Sequence, residues 1–282
     1  MSAVAAPTRL VVEPSPAPLN VPRKRWTRFI LPTYTILMIL YLASPIFVMI
    51  LYGFNDVPFD RQNSKFWGFT LDWWKNAFNV PGLFSAFKNS LKIAPISAAV
   101  STCLGTLFGL ALGRYRFRGL TGVDFVIFLA IAVPEIVLGS SLLTMFILTG
   151  VPLGLTTIIL SHIGFSIAFV AVTVRARVQG LDRNLEDAAQ DLFASPVAAF
   201  FKVTLPLIAP AILAGFLLAF VLSLDDFVIT NFVAGPAPTF PLWVFGAQRI
   251  GFPPQVNVMG TLLFGAGLLA AVANVVVQRR RA

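Results

Sequence analysis

Six long apolar runs alternate with shorter polar segments, and this alternation is the dominant pattern of the chain. A run of about 20 apolar residues is long enough for a helix to cross the hydrocarbon core of a bilayer. The pattern therefore predicts an all-α integral membrane protein with six transmembrane helices. The predicted spans are 29–53, 89–112, 123–148, 155–173, 207–231 and 257–277.

The first apolar run has two interpretations, because it follows a basic, proline-rich tail at residues 1–28. A signal peptide would also place basic residues before an apolar segment. The run is longer than the roughly 7–15 apolar residues of a signal peptide, which favours an uncleaved first span. The predicted organisation is a basic tail at 1–28, a transmembrane domain at 29–277 and a short basic tail at 278–282.

Composition and charge placement support this topology. The chain is 57% hydrophobic and 12% charged, whereas about a quarter of the residues in a soluble domain are charged. Of the 21 lysines and arginines, 15 fall in the tails and in the loops after the second and fourth spans. Because cytoplasmic loops are enriched in positive charge, both termini are predicted to be cytoplasmic.

The same composition excludes several functions. The net charge is +9, but the basic residues form no aromatic-interleaved face, so we expect no nucleic-acid partner. His162 is the one histidine and Cys103 the one cysteine, which excludes an internal disulfide and metal sites built on these residue types. The chain also lacks clustered catalytic residues, so we expect no enzyme and no cofactor. It has no GxxxxGK[ST] sequence with which to cradle ATP phosphates.

A polar stretch at 182–206 predicts two short helices on the cytoplasmic side. Leu185, Ala188, Ala189 and Leu192 recur at helical spacing. Asn184 is the predicted N-cap of the first helix, with Asp187 three residues later. Ser195 and Pro196 are the predicted cap and first residue of a second helix at about 196–203. Such a pair either presents an apolar ridge to a partner or covers the ends of its own membrane helices.

The polar stretch resembles the signature loop of bacterial ABC-transporter permeases. That loop reads Glu-Ala-Ala, three residues, Gly, nine residues and Ile-x-Leu-Pro, and here its positions are Asp187-Ala188-Ala189, Phe193 and Val203-Thr204-Leu205-Pro206. Phe193 replaces a glycine that makes the turn, and a side chain is disfavoured at positive φ. We expect either a different turn conformation or a turn at Ala194-Ser195.

The resemblance implies that this loop carries a coupling helix, which docks on a separate ATPase subunit that binds the ATP. It implies the following ATPase-coupling residues: Glu186, Asp187, Ala188, Ala189, Asp191, Phe193, Ser195, Pro196, Leu205 and Pro206. The implied partners are a second homologous permease, two ATPase subunits and a periplasmic or extracellular solute-binding protein. The implied location is the bacterial inner membrane, as a multi-pass protein. Loops 54–88 and 232–256 are candidates for docking the binding protein, and the prolines of the second predict a stiff, irregular segment.

A narrower resemblance concerns the substrate. The segment 223–230, Ser-Leu-Asp-Asp-Phe-Val-Ile-Thr, and the segment around Pro134-Glu135 are similar to the C-type subunit of the spermidine/putrescine permease branch. This implies an importer of small cationic polyamines. A ferric, phosphonate or other small solute is an alternative within the same class. A self-contained secondary transporter is a second class. It predicts an internal inverted repeat or paired broken helices, neither of which the sequence shows clearly, and it leaves the cytoplasmic hairpin unexplained.

Acidic residues within predicted spans are candidates for the substrate path, because a carboxylate in hydrocarbon is costly unless it faces a cavity or a partner. The acidic candidates are Glu135, Asp225 and Asp226, and the aromatic ones are Phe227, Phe232, Trp243 and Phe245. Structural roles remain alternatives. Either aspartate can cap a broken helix or pair with a partner's arginine, Glu135 can satisfy local backbone, and the aromatic rings can serve in packing. We expect His162 to be a packed polar contact.

A stripe of small residues is predicted along the second span. Gly105, Gly109 and Gly113 lie four residues apart and so share one helix face. Such a stripe permits close packing against another helix, although glycines are also common in membrane helices generally.

Overall fold

The computed structural model describes residues 27–58, 65–182, 184–250 and 253–281. These residues are organised as helices, with one isolated antiparallel bridge between Asn55 and Phe69. The described residues up to Val48 belong to one compact unit, and the described residues from Met49 onward belong to a second. The site described below lies in the second unit.

The helices of the described residues, in chain order, are α1 Thr27–Tyr52, α2 Asp72–Lys75, α3 Leu83–Arg114, α4 Leu120–Ala132, α5 Glu135–Leu148, α6 Leu155–Gln179, α7 Asn184–Asp191, α8 Pro196–Ala199, α9 Leu205–Asp225, α10 Val228–Val233, α11 Phe240–Ile250 and α12 Gln255–Arg281. A π-helical turn, Phe200–Thr204, joins α8 to α9.

Several of these helices are long and apolar enough to cross a membrane. Within the described residues there are four such spans, Phe29–Tyr52, Leu83–Arg114, Leu155–Gln179 and Pro196–Asp225, and a fifth if α4 and α5 together form one span. The helix α12 contributes a shorter apolar segment, Gln255–Leu269. The all-helical membrane architecture is confirmed, and the count of six spans stays a prediction.

The predicted third span is bent, not straight. The axes of α4 and α5 differ by 102°. Between them, Val133 and Pro134 both adopt extended backbone, with ψ near 130°. Proline disfavours helical geometry in the residue before it and has no N–H to continue the helix. The bend therefore follows from Pro134, and Glu135 becomes the first residue of α5.

The predicted fifth span is also broken. The helix α9 ends at Asp225, Asp226 is extended with φ −62° and ψ 121°, and the short helix α10 follows. The helix α10 packs closely on α5, because a Cβ on Gly139 would lie 2.6 Å from the Phe232 ring. The two broken spans thus meet near their breaks.

The helices α3, α6 and α9 pack together around a buried cluster made of Ala98, Val170, Val174, Val178, Ile208 and Ala219. The predicted glycine stripe forms the contact between α3 and α6. A Cβ on Gly105 would lie 2.6 Å from Val170, one on Gly109 would lie 2.8 Å from the Ala171 carbonyl oxygen, and one on Gly113 would lie 2.7 Å from Val178. A side chain at any of these positions would push the helices apart, so α3 and α6 form a close-packed pair.

The loop at 232–256 contains helix α11, so the prediction of a wholly irregular segment is wrong. Pro241 is the second residue of that helix, a position where its missing N–H removes no intrahelical hydrogen bond. Two contacts hold the start of α11 to α3. The Asn89 amide donates to the Pro238 carbonyl oxygen at 2.8 Å, and the Phe240 N–H donates to Ser90 Oγ at 2.9 Å.

Asn55 organises the loop between α1 and α2. Its side-chain amide donates to the Lys65 carbonyl oxygen at 2.6 Å and its Oδ1 accepts from the Trp67 N–H at 2.7 Å. Its own carbonyl oxygen accepts from Trp73 Nε1 at 2.7 Å. Because Asn55 is fully buried, these bonds satisfy polar groups that water cannot reach.

Candidate functional site: a two-helix hairpin and a buried His162–Asp226 cluster

The hairpin from Asn184 to Thr204 follows the predicted two-helix pattern, with a different N-cap. The backbone N–H of Asn184 donates to Asp182 Oδ1 at 3.0 Å, so Asn184 lies inside the helix and Asp182 supplies the cap. The second cap is as predicted. Ser195 Oγ accepts from the Ala198 N–H at 3.2 Å, and Pro196 is the first helical residue.

The second helix of the hairpin does not end near residue 203 as predicted. It continues through the π-helical turn into α9, so Pro196–Asp225 is one continuous 30-residue helix. Pro206 explains the turn, because it has no N–H with which to bond the carbonyl four residues earlier. In the π-helical turn a hydrogen bond spans five residues and not four, and here the Leu205 N–H bonds to the Phe200 carbonyl oxygen. The second helix of the hairpin and a membrane-length helix are therefore parts of one element, so that a movement of the first would also move the second.

Phe193 itself makes the turn between α7 and α8. Its φ is +64°, the one positive value among the described non-glycine residues. The Ala194 N–H bonds to the Ala189 carbonyl oxygen and the Phe193 N–H to that of Gln190, which is the Schellman pattern usually closed by glycine. Both sequence-based expectations for this turn are wrong, since Phe193 adopts the conformation of the glycine it replaces.

The hairpin exposes an apolar ridge. Phe193 is 99% exposed and Leu192 is 81% exposed. Val197 and Phe201 are also exposed on the second helix. Beside this ridge, Asp187, Ala188 and Asp191 are exposed, whereas Ala189 and Leu205 are partly buried and Pro206 is exposed on α9. Contiguous exposed apolar residues in an otherwise polar segment are typical of a surface that binds another protein.

Glu186 has a different environment from the other acidic residues of α7. Both of its carboxylate oxygens accept from the Arg114 guanidinium, with a distance of 2.8 Å from Nη1 to Oε2. Arg114 Nη2 also donates to Thr204 Oγ1 at 3.2 Å. Glu186 thus lies against the end of α3. The sequence carries no local signal for this contact, since 72 residues separate the two partners.

The second part of the site surrounds His162, which is 1% exposed. His162 Nδ1 lies 2.7 Å from Ser223 Oγ, and Nε2 lies 3.0 Å from Thr230 Oγ1 and 3.2 Å from Asp226 Oδ2. One imidazole of α6 therefore connects the end of α9 to the start of α10. The expectation of a packed polar contact is confirmed, and Ser223 and Thr230 are members of the cluster that sequence reasoning did not assign.

The three acidic candidates come together but differ in exposure. The side chain of Asp226 is 6% exposed and accepts hydrogen bonds from Thr230, whereas Asp225 and Glu135 are exposed. Asp225 lies within electrostatic range of Asp226, Glu135 and His162. Asp226 accepts from the N–H groups of Ile229 and Thr230 and so caps α10 within the break, and the exposed Asp225 directly precedes it.

The aromatic candidates separate into two groups. Trp243 packs in a buried cluster with Leu83, Val258 and Met259, and a Cβ on Gly82 would lie 3.2 Å from its Nε1. Phe227, next to Asp226, lies 4.5 Å from the Phe245 ring, measured between ring centroids. The guanidinium carbon of Arg249 lies 5.1 Å above the Phe245 ring. The exposed face of Phe245 thus already holds a cation.

Comparison with known proteins supports the family that the signature loop indicated. A family model described as binding-protein-dependent transport system inner membrane component matches residues 105–280. The chain belongs to this family. The matched region includes the hairpin, both broken spans and the His162 cluster, so the features described above lie within the part that defines the family.

Relatives of this permease are similar over most of their length. It is 38% identical over 240 residues to the spermidine/putrescine transport system permease protein PotC of Escherichia coli (strain K12), covering 85% of this chain and 90% of that protein. It is 38% identical over 264 residues to the putrescine transport system permease protein PotI of the same strain, covering 90% of this chain and 92% of that protein.

Solved structures share the fold of this permease. A chain of a bacterial ABC transporter involved in the import of the acidic polysaccharide alginate matches with a TM-score of 0.64 at 16% identity, covering 90% of this chain and 98% of that one. A chain of the MetNI methionine ABC transporter matches with a TM-score of 0.59 at 18% identity, covering 71% of this chain and 96% of that one. At this identity the likeness concerns the fold.

Proposed function

We propose that this chain is a permease subunit of an ATP-driven importer and that it moves polyamines such as putrescine and spermidine across the bacterial inner membrane by alternating access. The similarity to PotC and PotI over at least 85% of the chain carries this proposal. Six spans and cytoplasmic termini complete the proposed topology. The partners would be a second permease, two ATPase subunits and a solute-binding protein.

The chemistry around the two helix breaks supports a cationic substrate. Polyamines carry several ammonium groups separated by methylenes, so a path for them needs spaced carboxylates and aromatic faces. Glu135 and Asp225 are exposed carboxylates within electrostatic range of one another, and Phe245 accepts a cation on its face. We assign Glu135 and Asp225 to direct substrate contact and Asp226 to holding the break between α9 and α10.

The cytoplasmic hairpin is the proposed ATPase contact. Phe193 and Leu192 supply an exposed apolar centre, and Asp187 and Asp191 supply an acidic border. An exposed aromatic residue beside charged residues is the composition typical of a binding hot spot with a polar rim. Binding there would move α9 directly, because the hairpin and α9 form one helix from Pro196.

The experiment is uptake of labelled putrescine and spermidine into cells that lack other polyamine uptake and express the chain together with a second permease, an ATPase subunit and a solute-binding protein. We expect saturable, ATP-dependent uptake that falls at least several-fold in Glu135→Gln and in Asp225→Asn. Glu135→Asp and Asp225→Glu are the matched controls, since each keeps a carboxylate at the same exposed position. Uptake of a ferric or phosphonate solute in place of polyamines would refute the substrate assignment. Transport by the chain alone in liposomes would refute the subunit assignment.

A further inference from the structure

Arg114 lies where three segments of the permease meet. It is the last residue of α3, and its guanidinium binds Glu186 on α7 and Thr204 at the start of α9. The bond to Glu186 is bidentate, which fixes both the distance and the orientation of the two groups.

This contact is partly protected from solvent. The side chains of Arg114 and Glu186 are 27% and 23% exposed, and Thr204 is 1% exposed. An ion pair in such surroundings is less screened by salt than a fully exposed one. By contrast, the pair Lys75–Asp72 on α2 is about 70% exposed with a distance of 3.8 Å. Of these two ion pairs, the one between Arg114 and Glu186 is thus the more rigidly held and the less exposed to solvent.

The helix that carries Arg114 is close-packed against α6 through Gly105, Gly109 and Gly113. The helix α6 in turn carries Arg175, which binds Asp124 of α4 through both carboxylate oxygens, with 3.1 Å from Nη2 to Oδ2. The helix α4 leads into the bend before Glu135. A continuous set of packed helices and ion pairs therefore extends from the hairpin to the exposed carboxylates.

We propose that Arg114 is a positioning residue that couples the cytoplasmic hairpin to the α3–α6 pair, so that movement of α7 is passed to the membrane helices through the Arg114–Glu186 contact. This inference rests on the proposed importer function. It assigns Glu186 to coupling within the chain, and Asp187, Asp191 and Phe193 to contact with the ATPase. Loss of the contact leaves the ATPase bound to a hairpin that no longer moves α3.

The test compares ATP hydrolysis with substrate uptake in the assembled transporter. In Arg114→Gln we expect the ATPase to co-purify and hydrolyse ATP as in the wild type, while substrate moved per ATP falls roughly 5- to 20-fold, within the range of typical coupling between sites. In Arg114→Lys we expect the amount of substrate moved per ATP to recover only in part. Lysine keeps the positive charge, but it cannot form the bidentate contact with Glu186. The charge swap Arg114→Glu with Glu186→Arg restores more than either single change.

The matched control is Arg116→Gln, which removes an exposed arginine two residues further along the chain and leaves the ratio unchanged. A merely structural role for Arg114 would lower co-purification, hydrolysis and uptake together. That result, or an unchanged ratio in Arg114→Gln, would overturn the proposal.

A second readout does not depend on the identity of the substrate. Spin labels are placed on cysteines at Leu107, which is 61% exposed on α3, and Gln190, which is exposed on α7, after replacement of the exposed Cys103 by serine. In the assembled transporter we expect one narrow distance distribution that persists with and without ATP, and a broad one in Arg114→Gln. An equally narrow distribution in Arg114→Gln would contradict the coupling role. If no polyamine uptake occurs, the proposed substrate fails and this measurement still decides the role of Arg114.

Discussion

Asp226 accepts two hydrogen bonds from Thr230, one from the backbone N–H at 2.8 Å and one from the hydroxyl at 2.7 Å. The carboxylate therefore caps α10 in the manner of an N-terminal acid and also touches the buried His162 ring. Asp225, its neighbour in sequence, is exposed. Two adjacent aspartates thus have different environments, and we expect their replacement to have different effects on stability.

Asp226→Asn should destabilise the protein by about 1–3 kcal/mol, because an amide has one accepting oxygen and leaves part of a buried network unpaired. Asp225→Asn should change stability by less than about 0.5 kcal/mol, as is usual for exposed positions. Thermal unfolding of the purified transporter checks both, with uptake measured in parallel. Equal shifts in the unfolding midpoint would contradict the division of roles.

Phe193→Gly should remove the cost of the left-handed backbone, which is on the order of 1–2 kcal/mol for a residue with a side chain. Part of this gain is offset by the greater flexibility of glycine in the unfolded chain. We nevertheless expect the ATPase to co-purify less well, since the exposed ring is lost. Phe193→Asn is the control, because asparagine tolerates positive φ but also lacks the ring. If either variant binds the ATPase as well as the wild type, Phe193 is not a contact residue.

Gly109→Ala should destabilise the protein by about 1–3 kcal/mol through overpacking. The added Cβ would lie 2.8 Å from the Ala171 carbonyl oxygen, and backbone atoms cannot move aside as a flexible side chain can. Gly164→Ala is the matched control within α6, where the added Cβ meets no atom within 4 Å. We expect that variant to be neutral or slightly stabilised, as measured by thermal unfolding, since alanine favours helix more than glycine does.

Phe245→Leu should raise the KM for a polyamine by about 2- to 5-fold, because a substrate ammonium would take the place of the Arg249 guanidinium on the ring, and an exposed cation–π contact contributes roughly 0.5–1 kcal/mol. Leucine keeps an apolar side chain but lacks the negative ring face that Arg249 now occupies. Phe245→Tyr keeps that face and should behave as the wild type. Uptake kinetics in cells check the prediction, and equal KM values for leucine and tyrosine variants would contradict it.

The sequence predicted the features that depend on residues close to one another along the chain. The apolar runs, the Ser195–Pro196 helix start and the spacing of the glycine stripe all reappear in the structure. The bend of 102° at Pro134 was not predicted from the sequence. The size of a bend depends on what each half-helix packs against, and α5 packs on α10 through Gly139.

Phe193 shows where a local rule was overridden. A side chain at positive φ is disfavoured, so the sequence favoured another turn. In the structure, the N–H groups of Phe193 and Ala194 form the Schellman hydrogen bonds to the carbonyl oxygens of Gln190 and Ala189. Phe193 adopts a positive φ to make them. Local propensity was outweighed by the hydrogen bonds that end α7 and by the Ser195 cap that starts α8 directly after the turn.

By itself, the sequence determined the membrane class and the two-helix form of the hairpin, because hydrophobic periodicity, proline and capping residues act over a few positions. Only the tertiary structure decided which acid is buried and which is exposed. It also decided that Glu186 binds Arg114 and that His162 joins Ser223, Asp226 and Thr230. These contacts join residues 61–72 positions apart, so they exist only after the helices have packed and brought them within hydrogen-bond distance.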